Sequence, residues 1–113
     1  MNDSTKRRVL LVEHDYDLCE ILKSLLEEDG FSVDLAFSTF DALSKLGLAQ
    51  IIITETKLLG IDHEMITKTA AFDGIPVIYF TADLDFDGPA SHTLHKPTSV
   101  RELVGLMDRL APR

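Results

Sequence analysis

Short apolar runs alternate with segments of helical period along nearly the whole chain, and no other feature restricts its fold as much. Val9-Leu10-Leu11-Val12, Ile51-Ile52-Ile53-Thr54 and Val77-Ile78-Tyr79-Phe80 are short runs without polar/apolar alternation. A strand of that kind belongs inside a parallel sheet covered on both faces by helices. Leu18, Ile21, Leu22, Leu25 and Leu26 recur at helical spacing, with Asp17 and Glu20 placed as a capping box and Gly30 as the stop. Phe31, Val33 and Leu35 alternate as a second strand. Ser38 or Thr39 then caps a short helix carrying Phe40, Leu43, Leu46 and Leu48, and Met65, Ile66, Thr69 and Ala70 mark a third helix. Thr93 to His95 is a minimal last strand, and Ser99 with Glu102 caps a final helix packing through Val100, Leu103, Val104, Met107 and Leu110. Asp83 to Pro89 is rich in turn formers, so a helix is not expected there. The expectation is an α/β domain of five strands and four helices.

The 113 residues, 45% of them hydrophobic, suffice for one core without help from metal or disulfide. Residues 1–7 read as a flexible lead-in and 8–111 as the domain. Nineteen acidic residues against eleven Lys plus Arg give a net charge of −8. That charge argues against direct binding to nucleic acid or an anionic membrane and favours a partner with a basic surface. The lone Cys19 makes no internal disulfide and suits a reducing compartment. No apolar stretch approaches the roughly 20 residues that span a bilayer. A cytoplasmic protein is expected.

In an open parallel sheet, sites form beyond the carboxyl ends of the strands. Those ends carry Glu13, His14 and Asp15 after the first strand, Glu55 after the third, Thr81 after the fourth and Lys96 after the fifth. The segments Val9 to Asp15, Ile51 to Glu55 with Leu58 to Asp62, Ile75 to Ala82, and His95 to Ser99, in this order and spacing, resemble the receiver domain of two-component response regulators. The resemblance covers Arg8 to about Leu110. It implies a flavodoxin-like sheet of order 2-1-3-4-5, here with the fourth crossover helix shortened or absent. Thr81 matches the family's hydroxyl residue that contacts the phosphoryl group, and Lys96 its lysine, usually followed by a cis proline as Pro97 would be. Glu13 matches the first of two acidic cation-binding positions. Asp62 reads as the cap of the next helix rather than as a phosphoacceptor.

Three positions depart from the family. Glu55 stands where the phosphoaccepting aspartate is expected, His14 at the second acidic position, and Thr93 where an aromatic switch residue usually lies. A methylene displaces the nucleophile by about 1.5 Å, and misplacement by about 1 Å can cost on the order of 10²-fold in rate. Magnesium is a hard ion that takes oxygen ligands, so an imidazole at position 14 weakens its site. No cofactor is therefore expected, and magnesium binding should be weak or absent. Two readings of Glu55 stand: an ion pair with Lys96 plus a Thr81 hydrogen bond that imitates the phosphorylated state, or a tolerated polar residue at a site without chemistry. A transition-metal site built from His14, Glu13 and Glu55 competes with an ordinary, partly exposed histidine.

The resulting expectation is a degenerate, phosphorylation-independent receiver domain, not an enzyme, that acts by protein–protein interaction. Its partner would be a signalling kinase, a regulator or an attached output domain. The alternatives are a receiver that still accepts a phosphoryl group from a histidine kinase and, from another class, a flavodoxin-like metal-dependent hydrolase. The expected docking rim joins the first helix, the last strand and helix, and the Asp83 to Pro89 loop.

Overall fold

The computed structural model describes residues 6–56, 62–89, 92–96 and 99–111. Five parallel strands form one sheet: β1 (Arg7–Val12), β2 (Phe31–Ala36), β3 (Ile51–Thr54), β4 (Val77–Thr81) and β5 (Thr93–His95), in the order β2-β1-β3-β4-β5. The central strands are buried as their composition requires: Val9 to Val12, Ile51 to Ile53 and Ile78 are all at or below 1% exposure. Alternate residues of each strand feed two cores. One joins Val9, Leu11, Ile51, Ile53 and Phe80 to Leu22, Leu26, Leu103 and Met107. The other joins Leu10, Val12, Ile52 and Tyr79 to Ala42, Leu46, Ile66 and Ala70.

The helices are α1 (Tyr16–Glu28), α2 (Thr39–Lys45), α3 (His63–Phe72) and α4 (Val100–Leu110). A 3-10 turn over Leu46–Leu48 extends α2. α1 starts earlier than the Asp17–Glu20 pattern implies: Asp15 is its N-cap and accepts from the Leu18 N–H. That places Asp17 in the first turn, where a carboxylate favours the helix dipole. Gly30, at φ 94°, supplies the left-handed residue that ends α1. Ser38, Asp62 and Ser99 cap α2, α3 and α4 with their side-chain oxygens, the roles read for them. β1 begins at Arg7, one residue before the expected boundary, and Arg7 binds Asp108 at 2.5 Å and the Ala111 carbonyl at the end of α4.

Several apolar readings need correction. Phe40, Ile21, Leu25, Leu48 and Met65 fit the helical period, but all are exposed, Phe40 at 84% and Ile21 at 57%. The short α2 turns Ala42 inward, and on α1 Cys19, Leu22 and Leu26 already fill the core stripe.

Between β4 and β5 the described residues contain no α-helix. Phe86 from this loop packs on the second core and meets Tyr79 at 5.0 Å and His63 at 5.7 Å between ring centroids. One aromatic side chain thus covers sheet surface that a crossover helix would cover. Pro97 and the Leu58–Gly60 turn lie outside the described residues.

Candidate functional site

Strand register brings the site together. Val12 pairs with Thr54, so Glu13 and Glu55 follow side by side, and the Glu55 N–H donates to the Val12 carbonyl at 2.9 Å. Thr54 pairs with Tyr79, which sets Thr56 opposite Thr81. Thr81 pairs with His95, so Lys96 follows at the sheet's edge, its N–H bonded to the Thr81 carbonyl at 2.8 Å. Glu13, Glu55 and Thr81 are buried, and the Lys96 side chain is 18% exposed.

The Lys96 ammonium bridges both carboxylates. It donates to Glu13 Oε1 and, at 2.5 Å, to Glu55 Oε2. The opposite oxygens are occupied too: Glu55 Oε1 accepts from the Thr56 N–H at 2.8 Å, and Glu13 Oε2 from the N–H groups of His14 and Asp15 at 2.8 and 3.2 Å. Burial opposes ionisation of Glu55, but the Lys96 hydrogen bond, the Thr56 amide, the Lys96 charge and the Thr81 hydroxyl together hold its pKa below the ordinary carboxylate value. Burial likewise disfavours the ammonium, while the bonds to Glu13 and Glu55 push the Lys96 pKa up.

His14 takes a different position from a cation ligand. Its ring is 64% exposed and Nδ1 lies 3.0 Å from Glu13 Oε2, the oxygen that already receives two backbone amides. Among the described residues no group of three His, Cys, Asp or Glu side chains is arranged to hold a metal ion. Lys96 stands between the carboxylates of Glu13 and Glu55, the position that a cation shared by them and His14 would take. Above the bridge lies an open cleft of about 660 Å³ lined by His14, Asp15, Leu18, Glu55, Leu84 and Lys96.

Thr56 is a site residue that sequence reasoning missed. Its hydroxyl donates to Thr81 Oγ1 at 2.7 Å, and the same oxygen accepts from the Asp83 N–H at 3.0 Å. The hydroxyl of position 81 is thus fixed between β3 and the start of the following loop. Only the β3–β4 register reveals the pairing of residues 56 and 81, and a sequence does not fix register. At the expected switch position, Thr93 donates to the Pro89 carbonyl at 2.7 Å. Tyr79 is a buried sheet residue, as read, with its hydroxyl 2.9 Å from Thr67 Oγ1.

A two-component response regulator from Clostridium difficile has a similar structure, with a TM-score of 0.82 and 26% identity over 96% of this chain and 98% of that one. The non-phosphorylated HemR receiver domain from Leptospira biflexa shares the fold at a TM-score of 0.81 and 22% identity, covering 96% of each chain. In sequence, the transcriptional regulatory protein CpxR homolog of Haemophilus influenzae is 32% identical over 94% of this chain and 51% of its own length. This chain is a response-regulator receiver domain. The regulatory protein VanRB of Enterococcus faecalis is 28% identical, again over 94% of the chain and 53% of the relative. The receiver domain here spans about half the length of the curated relatives it matches. No protein-family model matches it. Among the described residues no helix is long and apolar enough to cross a membrane.

Proposed function

We propose that this receiver domain works without phosphorylation, as a protein-interaction module whose site is held in one state by an internal ion pair. The observation that carries the reading is the Lys96 bridge: all four oxygens of Glu13 and Glu55 already accept hydrogen bonds from the protein. A nucleophilic attack by Glu55 would have to come from an oxygen that already accepts a hydrogen bond from Lys96 or from the Thr56 amide, which lowers its nucleophilicity. The residues present also fit a magnesium ion poorly. A hard octahedral ion needs several oxygen ligands, whereas the donors here are two carboxylates bridged by one ammonium and an outward-facing imidazole. Binding of magnesium is therefore weak, and no chemical step depends on it.

The partner is a protein: a signalling kinase, a regulator or an output domain on the same polypeptide. The chain's net charge of −8 leaves nucleic-acid binding to such a partner. The domain has no catalytic role of its own, and its place is the cytoplasm with the rest of a two-component pathway. The competing reading is a receiver that accepts a phosphoryl group at Glu55. Incubation with acetyl phosphate and magnesium, followed by intact-mass measurement, separates them. The native chain gains no phosphoryl group, whereas the His14→Asp/Glu55→Asp variant does. A stoichiometric phosphoryl adduct on the native chain establishes the competing reading.

A further inference from the structure

Beside the site, the C-terminal rim of the sheet carries an aromatic surface that the hydrophobic cores do not absorb. Tyr16 at the start of α1 stacks on Phe37 at the end of β2, with centroids 5.9 Å apart and planes 22° from parallel. Tyr16 is 62% exposed and Phe37 41%, and Phe40, on the first turn of α2, is 84% exposed. Large aromatic side chains grouped on a surface are the residues that dominate binding energy when a partner covers them. Phe37 and Phe40 lie within three residues of each other at the connection from β2 to α2.

The charge around the rings identifies the occupant. On the α1 side Asp15, Asp17 and Glu20 are exposed next to Tyr16. On the α2 side Asp41 is paired with Lys45 at 3.2 Å, and that lysine is further held by the Leu35 carbonyl at 2.6 Å. The α1 edge therefore presents carboxylates against an aromatic stack. A second copy of the chain, itself at −8, would set these carboxylates against their like. An arginine-bearing segment matches the surface in both respects, because a guanidinium stacks on aromatic faces while pairing with carboxylates. We propose that Tyr16, Phe37 and Phe40 form a docking surface for a partner segment that carries arginine between apolar side chains. The inference rests on the reading of the domain as an interaction module, and it is independent of whether Glu55 can be phosphorylated.

The test uses the full chain and a short peptide of alternating arginine and leucine, titrated while amide NMR spectra are recorded. Saturable shifts confined to Asp15–Glu20 and Phe37–Asp41 are expected, with apparent affinity falling at least tenfold on raising the salt. The same peptide with glutamate for arginine should give no saturable shift. Phe40→Ser and Tyr16→Ser should each weaken binding several-fold. Phe40 is exposed enough that its replacement leaves the spectrum otherwise unchanged, which keeps the test independent of folding. Equal binding of the glutamate peptide, shifts centred elsewhere, no saturable binding, or concentration-dependent self-association lost in Phe40→Ser would overturn the proposal. Each of those outcomes leaves the acetyl phosphate result untouched, so the two readings fail separately.

Discussion

Replacing Lys96 with methionine removes the charge that bridges Glu13, at 1% exposure, and Glu55, at 6%, while keeping an unbranched apolar stem. Deleting one partner of a buried ion pair costs about 3–5 kcal/mol, because the remaining charge is left uncompensated. The Lys96 side chain keeps 18% of its exposure, so water relieves part of that penalty and the lower end, about 3 kcal/mol at neutral pH, is expected. At about 4–8 °C per kcal/mol for a domain near this size, Tm should fall by roughly 12–24 °C. The pH dependence is the sharper arm. Native Glu55 has a depressed pKa, so its contribution is complete above the ordinary carboxylate value of 4.5 and is lost as pH falls through the folded value. Lys96 has a raised pKa, so its contribution is complete below 10.5 and is lost as pH rises through the folded value. Without Lys96, burial raises the Glu55 pKa, and protonation then relieves the variant. Urea denaturation across pH should therefore show a gap between native and variant proteins that is widest near neutrality and narrows in acid. A Tm change below about 5 °C, or a gap that stays constant into acid, would refute this account of the site.

Thr56→Val should destabilise the domain by about 1 kcal/mol and shift the Asp83 amide resonance, since the valine cannot donate to Thr81. Phe86→Ala should cost about 2 kcal/mol, less than a fully buried phenylalanine, and limited proteolysis should then cut first within residues 83–89. Burial, with the nearby charges of Glu13 and Asp15, raises the Cys19 thiol to about 11. A maleimide at pH 8 should therefore leave Cys19 unmodified in the native protein and label it once the chain is unfolded in urea.

The fold was legible because its signals are local. The apolar strands, the Ser38, Asp62 and Ser99 caps and the turn-forming Asp83–Pro89 stretch each depend on a few neighbouring residues. The convergence of Glu13, Glu55, Thr81 and Lys96 was legible for a related reason: in a parallel sheet the strand ends meet at one rim. What the sequence concealed depends on register and packing. Thr56 meets Thr81 only because residues 54 and 79 pair, and the two amides on Glu13 Oε2 follow from how the backbone turns at His14. Phe86 looked like one apolar residue in a polar loop, yet it caps the core beside Tyr79. Helical periodicity also overcounted the core, since Ile21 and Phe40 satisfy it and face solvent.

Under the proposed function, Glu55 and His14 together take this receiver domain out of phosphoryl chemistry. Amide NMR spectra recorded while adding magnesium and then beryllofluoride, a mimic of the phosphoryl group, test it most directly, with the His14→Asp/Glu55→Asp variant alongside. The account predicts no saturable shifts near Glu13, Glu55, Thr81 and Lys96 in the native chain, and clear shifts at those positions in the double variant. Saturable shifts in the native chain would contradict it and place the domain among working phosphorylation switches.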